Sequence, residues 1–258
     1  MTGASSGIGA AFADVFAANG FDIVITGRRE ARLHDVAAGL RDRHGVHIHV
    51  IVLDHSETSS ADRLCDELAS RGLVIDALVN NAGYGVPGLF GSVPWPVHDD
   101  SLRVLVTGVA ELTYRLLPGM LERRYGRIVN VASLAGLVPA PGGHTLYGAS
   151  KAFVIKFSEA LAHEGRSHGV HVTAICPGFT RSEFHDVTGT RGQMSKLPAW
   201  MWLDAATVAR QGYDAVMAGT PVYVNGRVNR AIALAVRYVP QWAVGLVGRR
   251  MAKTYRKT

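Results

Sequence analysis

The chain has 258 residues, 48% of them hydrophobic, with 29 Gly, 2 Cys and a formal net charge of +6. This length and composition suit one sizeable α/β domain with a substantial core and do not require a second. The charge gives no case for a nucleic-acid-binding domain: residues 227–258 hold eight Lys/Arg and no Asp/Glu, which leaves the preceding residues at a net −2.

Cys65 and Cys176 lie far apart and fit no ligand or redox spacing, so no disulfide framework is expected and a reducing compartment is the simpler reading. The sequence opens on MTGASSGIG rather than on a charged and apolar leader. No stretch offers the roughly 18 uncharged apolar residues of a membrane span. The expectation is a cytoplasmic enzyme.

Taken in order, Met1 is followed by Thr2, Gly3, Ala4, Ser5, Ser6, Gly7, Ile8 and Gly9, and then by helical spacing over residues 10–19 that Gly20 ends. Glycines at 3, 7 and 9 permit a tight turn and let backbone N–H groups approach a pyrophosphate at the positive end of the helix. Such a turn ordinarily follows a strand, and here the sequence before it is Met1 alone. The β-branched run FDIVIT, residues 21–26, reads as a strand ending in Gly27, Arg28 and Arg29. In a dinucleotide-binding fold this strand tip meets the adenosine ribose, where an acid suits a 2′-hydroxyl and an Arg suits a 2′-phosphate. Two arginines and no acid favour NADP over NAD. A solvated helix start is the plainer alternative for the same residues.

Residues 31–43 have helical spacing, and 46–53 alternate as a strand closing on Asp54. His44, His47 and His49 lie close together, but no carboxylate completes a local set, so no metal site is expected. A helix over 57–71, with Cys65 packed as a small hydrophobe, leads to a strand over 73–79 that runs into Asn80, Asn81, Ala82 and Gly83. Small residues at a strand's C-terminal end let a ligand lie flat against the backbone. A long helix is expected over 98–120, and a buried strand over 127–131 delivers Ser133. A helix from about 147 to 168 follows, then a strand over 171–175 ending in Pro177, Gly178, Phe179 and Thr180. A helix over 207–217 and a short strand over 221–224 complete the pattern. Strands alternating with helices along this span indicate a Rossmann-like, doubly wound parallel sheet, in one domain over 1–226 followed by a tail over 227–258.

The chemistry-bearing stretch is 133–151. Tyr147 and Lys151 are four residues apart and share one helix face. A nearby ammonium favours phenolate and lowers the phenol's pKa. The Gly/Pro-rich run before Tyr147 is a loop able to bring the Ser133 hydroxyl back beside it. By itself the spacing is weak, because half-exposed helix faces often carry a Tyr and a Lys this way.

In their order along residues 2–180, these features resemble the short-chain dehydrogenase/reductase family, in its single-domain branch. Thr2, Gly3, Gly7 and Gly9, with the intervening Ser5, Ser6 and Ile8, resemble its cofactor turn. Asp54 resembles its adenine contact, and Asn80, Asn81, Ala82 and Gly83 resemble its motif after the fourth strand. Ser133, Tyr147 and Lys151 match its catalytic serine, tyrosine and lysine. Pro177, Gly178 and Thr180 match the segment lying against the nicotinamide. The resemblance implies hydride transfer between a nicotinamide and a carbonyl or secondary alcohol. In that scheme Tyr147 exchanges the proton, Lys151 holds the nicotinamide ribose and lowers the Tyr147 pKa, Ser133 binds the substrate oxygen and Thr180 steadies the carboxamide. It also implies a homo-oligomer.

Two departures stand out. The family usually has an asparagine in the middle of the helix before the Ser-bearing strand, where its amide orients a proton-relaying water; aligning VTG and LLPGM puts Leu105 there. The family also has an apolar strand before the Thr-Gly turn, between the strands corresponding to 21–26 and 73–79. Its loss would leave both neighbours with unpaired backbone groups, so about five to seven further strand residues are expected upstream.

Residues 181–204 form a long segment with little regular pattern, expected to act as a substrate lid. Phe184, Met194, Leu197, Pro198, Trp200, Met201 and Trp202 make it apolar, which suits a small hydrophobic substrate as well as it suits packing on the domain or a partner. In the tail, apolar residues alternate with basic ones from Arg230 to Lys257. Such a segment can lie peripherally on an anionic membrane surface, and it can equally cover a groove on its own domain or a neighbouring subunit. The leading function is therefore an NADP-dependent oxidoreductase of a hydrophobic alcohol or carbonyl compound, with NAD less favoured. A dinucleotide-binding scaffold or sensor, supported by Leu105, is the alternative. A sugar-nucleotide epimerase or dehydratase shares the Tyr and Lys spacing but usually differs in glycine spacing and has a longer substrate domain.

Overall fold

The computed structural model describes residues 1–140, 143, 145–181 and 198–238. Five parallel strands set the frame: β1 (Ile23–Gly27), β2 (Ile48–Val52), β3 (Ala77–Asn80), β4 (Gly126–Val131) and β5 (Val170–Cys176). Two short strands follow, β6 (Thr180–Arg181) and β7 (Leu203–Asp204), which pair with each other, and then β8 (Val222–Val224) on the far edge beside β5. β1 pairs only with β2, while β3, β4, β5 and β8 form a separate four-stranded sheet.

Met1 and Thr2 stitch the two sheets together. The Thr26 amide donates to the Met1 carbonyl at 3.0 Å, and the Thr2 amide donates to Val79 O at 3.0 Å. The Met1 amino group donates to Val24 O at 2.8 Å. The Ala4 amide adds a bond to Thr26 O at 3.1 Å.

Helices cover both faces, which gives the doubly wound α/β architecture. One layer holds α1 (Gly7–Ala18) and α2 (Glu30–His44), with Phe12, Phe16 and Leu33 packing on Ile25, Val79, Val129 and Ile175. The other holds α3 (Ser60–Ser70) and the helical run from α4 (Trp95–Leu102) to α5 (Gly108–Glu122), with Leu64, Leu112 and Met120 packing on Leu78, Ile128 and Val172. Adjacent strand residues such as Leu78 and Val79 point to opposite layers, the period of two that makes these strands apolar throughout. α6 (Thr145–Gly165) crosses the second layer, α7 (Ala205–Met217) joins the first, and α8 (Arg227–Tyr238) is the last described helix.

The element types agree with the sequence reading, and the ends move by a few residues. The strand expected over 73–79 begins at Ala77, and the helix expected over 57–71 begins at Ser60. The helix expected over 98–120 starts earlier, at Trp95 just after Pro94, and is interrupted: Arg103–Thr107 is a π turn. The Gly108 amide bonds the Arg103 carbonyl, and a Cβ on Gly108 would stand 2.9 Å from that oxygen. Glycine thus makes room for one extra residue in the turn. Most of the proposed lid, residues 182–197, and the tail from 239 onward lie outside the described residues.

Candidate active site

The cofactor turn and the Asn-Ala-Gly stretch after β3, two separate motifs in sequence, form one unit. The Thr2 hydroxyl donates to Val79 O at 3.3 Å and accepts from the amides of Asn81 at 2.9 Å and Ala82 at 3.0 Å. The Asn81 side-chain amide donates to the carbonyls of Thr2 and Gly3. The glycines are spatial requirements. Gly3 has φ +64° and a Cβ there would meet Ala82 Cα at 2.8 Å, while a Cβ on Gly9 would meet Gly3 O and the Asn81 amide nitrogen at 2.4 Å. Ser6 caps α1 without a side-chain hydrogen bond, so the first-turn N–H groups have no side-chain acceptor from their own cap. This bare helix start beside a cradle closed to side chains fits a pyrophosphate.

Arg28 and Arg29 flank the same turn. The Arg29 guanidinium donates to Ser5 Oγ at 2.9 Å and Ser6 Oγ at 2.8 Å, and Arg28 stands 3.6 Å from Asp54. Burial pushes the Asp54 carboxyl up, but two hydrogen bonds from Ser56 and the Arg28 charge outweigh it and hold the group below its usual range. Next to it His55 shares a 2.7 Å hydrogen bond with Thr26, and burial pushes its pKa down to about 4.

At the ends of β4 and β5 the three expected reactive side chains meet. Ser133 caps a short 3₁₀ turn, its Oγ accepting from the Ala135 amide at 3.1 Å, and it hydrogen-bonds the Tyr147 hydroxyl. Tyr147 and Lys151 both project from α6, with the Lys151 nitrogen 5.7 Å from the Tyr147 ring centre. Lys151 donates to Val131 O at 2.7 Å. Here the charge argument from sequence needs correcting. Burial pushes Tyr147 up to about 12, the Ser133 hydrogen bond opposing it only in part, and burial pushes Lys151 down to about 8. The protein alone does not lower the phenol's pKa, because desolvation disfavours both charged forms at once.

Leu105 lies in the π turn, 1% exposed. A Cβ added to Gly83 would meet its Cδ2 at 2.8 Å and the Lys151 nitrogen at 3.9 Å, so this leucine stands behind the lysine. The Pro177 to Thr180 segment is clasped from two sides. Leu134 N donates to Pro177 O at 2.9 Å, and Gly178 backs so closely on Asn229 that a Cβ would meet its amide oxygen at 2.5 Å. The Thr180 hydroxyl bonds Gly178 O at 3.2 Å, and Trp202 packs on Phe179 with ring centres 5.6 Å apart.

The sequence reading missed the polar chain that holds these parts in register. Asn80 donates to Thr113 Oγ1 and Asn130 Oδ1, Asn130 donates to Ser158 Oγ, and Ser158 donates to Val154 O, all buried. It ties β3 and β4 to α5 and α6. The available signal was an asparagine inside each of the apolar runs ALVN and RIVNV. Among the described residues no three His, Cys, Asp or Glu side chains gather as a metal set; His44 pairs with Asp14 and His47 with Asp22.

A family model described as short chain dehydrogenase matches residues 1–191. The chain is 38% identical over 192 residues to sulfoacetaldehyde reductase 2 of Chromohalobacter salexigens, covering 71% of this chain and 73% of that one. It is 30% identical over 249 residues to the very-long-chain 3-oxoacyl-CoA reductase of Bos taurus, covering 94% and 75%. In four other vertebrate reductases of that name the match spans 57–61% of the relative's length. The solved structure of a short-chain dehydrogenase from Sphingobium yanoikuyae in complex with NADPH superimposes with a TM-score of 0.80 at 28% identity, covering 100% of this chain and 94% of that one.

Proposed function

The chain belongs to the short-chain dehydrogenase/reductase family and is an NAD(P)-dependent oxidoreductase acting on C=O and CH–OH groups; we propose that it prefers NADP(H) and reduces the carbonyl of a small hydrophobic compound. The observation that carries this reading is the Ser133, Tyr147 and Lys151 cluster standing beside the glycine cradle, with Arg29 forked over Ser5 and Ser6.

The bound nicotinamide supplies or accepts the hydride. The first-turn N–H groups of α1 would hold the pyrophosphate, Arg28 and Arg29 a 2′-phosphate, Asp54 the adenine side, and Asn81, Ala82, Gly83, Lys151, Pro177, Gly178 and Thr180 the nicotinamide half. Ser133 binds the substrate oxygen, and Tyr147 gives it a proton. A phenol raised to about 12 is protonated at neutral pH, which suits reduction; the reverse reaction would need the phenolate first. Trp202 against Phe179 puts apolar surface beside the Pro177 to Thr180 segment.

NADPH titration followed by a panel of ketones and aldehydes tests the reading. NADPH oxidation should rise from polar short aldehydes to bulky apolar ketones. Binding of NADPH with no oxidation by any carbonyl compound would instead support the scaffold reading that Leu105 favours.

A further inference from the structure

We propose that the outward face of α8 docks on an anionic lipid surface. This helix is amphipathic twice over. Its inward side is led by Asn229, which is buried, donates to Asn225 O at 2.7 Å and backs Gly178, with Ile232, Ala233 and Val236 half-buried on the same side. That side accounts for one of the two roles open to the tail, covering its own domain.

The opposite side has no such cover among the described residues. At about 100° per residue, Val228, Ala231, Leu234, Ala235 and Tyr238 fall with Arg227 inside one arc of roughly 120°. Val228 is 36% exposed, Leu234 59% and Tyr238 75%. Arg230 and Arg237 border the arc on one side. Among the described residues none of the three arginines forms a salt bridge, although Arg230 lies 5.8 Å over the Tyr223 ring. No Asp or Glu occurs anywhere after Asp214, while Arg249, Arg250, Lys253, Arg256 and Lys257 follow the helix.

Charge decides among the occupants. A second copy meeting this face about a two-fold axis would bring the same arginines together with no acid on the helix to pair them. The chain's own last residues add positive charge and cannot neutralise it. A nucleic-acid backbone would meet the charge but leave Leu234 and Tyr238 without a use. A layer of anionic headgroups over acyl chains meets both, the arginines at the phosphates and the apolar arc at the interface.

The test uses the full chain with vesicles of phosphatidylcholine, alone or with a third of the lipid replaced by phosphatidylglycerol. The wild type should pellet with the anionic vesicles, stay in solution with the neutral ones, and be released by salt. A Leu234→Asp, Tyr238→Asp variant and an Arg230→Glu, Arg237→Glu variant should each lose at least about tenfold in partitioning. Unchanged NADPH binding would show both to be folded. Failure to pellet, equal pelleting on both compositions, or variants that pellet like the wild type would overturn the proposal. So would a smaller sedimentation mass for the Leu234 and Tyr238 variant without lipid, which would assign the face to a second copy.

Discussion

Extending a polypeptide that starts at Met1 by about five to seven apolar residues should add strand pairing beside β1 and β3 and remove an amine from the interior. In a polypeptide that starts at Met1, burial lowers that amine's pKa from 8.0 to about 5. Between these values the unfolded chain holds a proton that the folded chain does not, so stability is full above the unfolded pKa and falls as pH drops, until both states are protonated below about 5. At about 1.4 kcal/mol per unit, the penalty is about 1.4 kcal/mol at pH 7 and nearly 4 kcal/mol at pH 5. For a domain of this size that corresponds to a Tm gain on extension of about 3–6 °C at pH 7 and about 7–15 °C at pH 5, on top of a pH-independent gain from strand pairing. His55 is held neutral by burial first and by the nearby Met1 amino group second, so the extension also relieves part of its acid penalty and adds to the gain at pH 5. The assay is thermal unfolding of both chains at pH 8, 7 and 5. A gain of the same size at all three would refute the buried amine, and no gain at any of them would refute the added strand pairing.

Arg29→Ala should weaken NADPH binding by about ten- to a hundredfold, the scale of one or two charge-assisted hydrogen bonds, and leave NADH within about twofold; parallel losses for both would contradict the 2′-phosphate role. Leu105→Asn should raise turnover with NADPH and a reactive ketone by placing an amide behind Lys151, at a stability cost of about 1–3 kcal/mol for the buried polar group. An unchanged or lower rate would show that proton supply does not run past that position. Asn130→Ala removes the middle of the polar chain from Asn80 to Ser158 and should cost about 2–4 kcal/mol in denaturant unfolding. A cost near zero would mean that the network does not hold the register of β4 and α6.

The alternating parallel α/β pattern and the meeting of Ser133, Tyr147 and Lys151 were legible because they rest on local signals: β-branched runs, glycines at fixed offsets, and a Tyr and a Lys one helical turn apart. What escaped the sequence depends on burial and on long-range contacts. The π turn at Arg103–Thr107 keeps an apolar stripe close to helical period, so one extra residue leaves no trace in it. The clasp of Thr2 on Asn81 joins residues 79 positions apart. The direction of the Tyr147 shift was misjudged because spacing reports the neighbouring charge but not the desolvation that outweighs it. Asn229 read as part of a tail, yet it buries against Gly178 and packs with the domain.

Tyr147→Phe tests the central claim most directly, since it removes one oxygen at the end of a side chain whose ring stays in place. With NADPH and a reactive apolar ketone, the variant should bind NADPH within about twofold of the wild type and lose about 10²- to 10⁴-fold in kcat. Retention of wild-type turnover would show that the proton comes from elsewhere and that the site is not the one described.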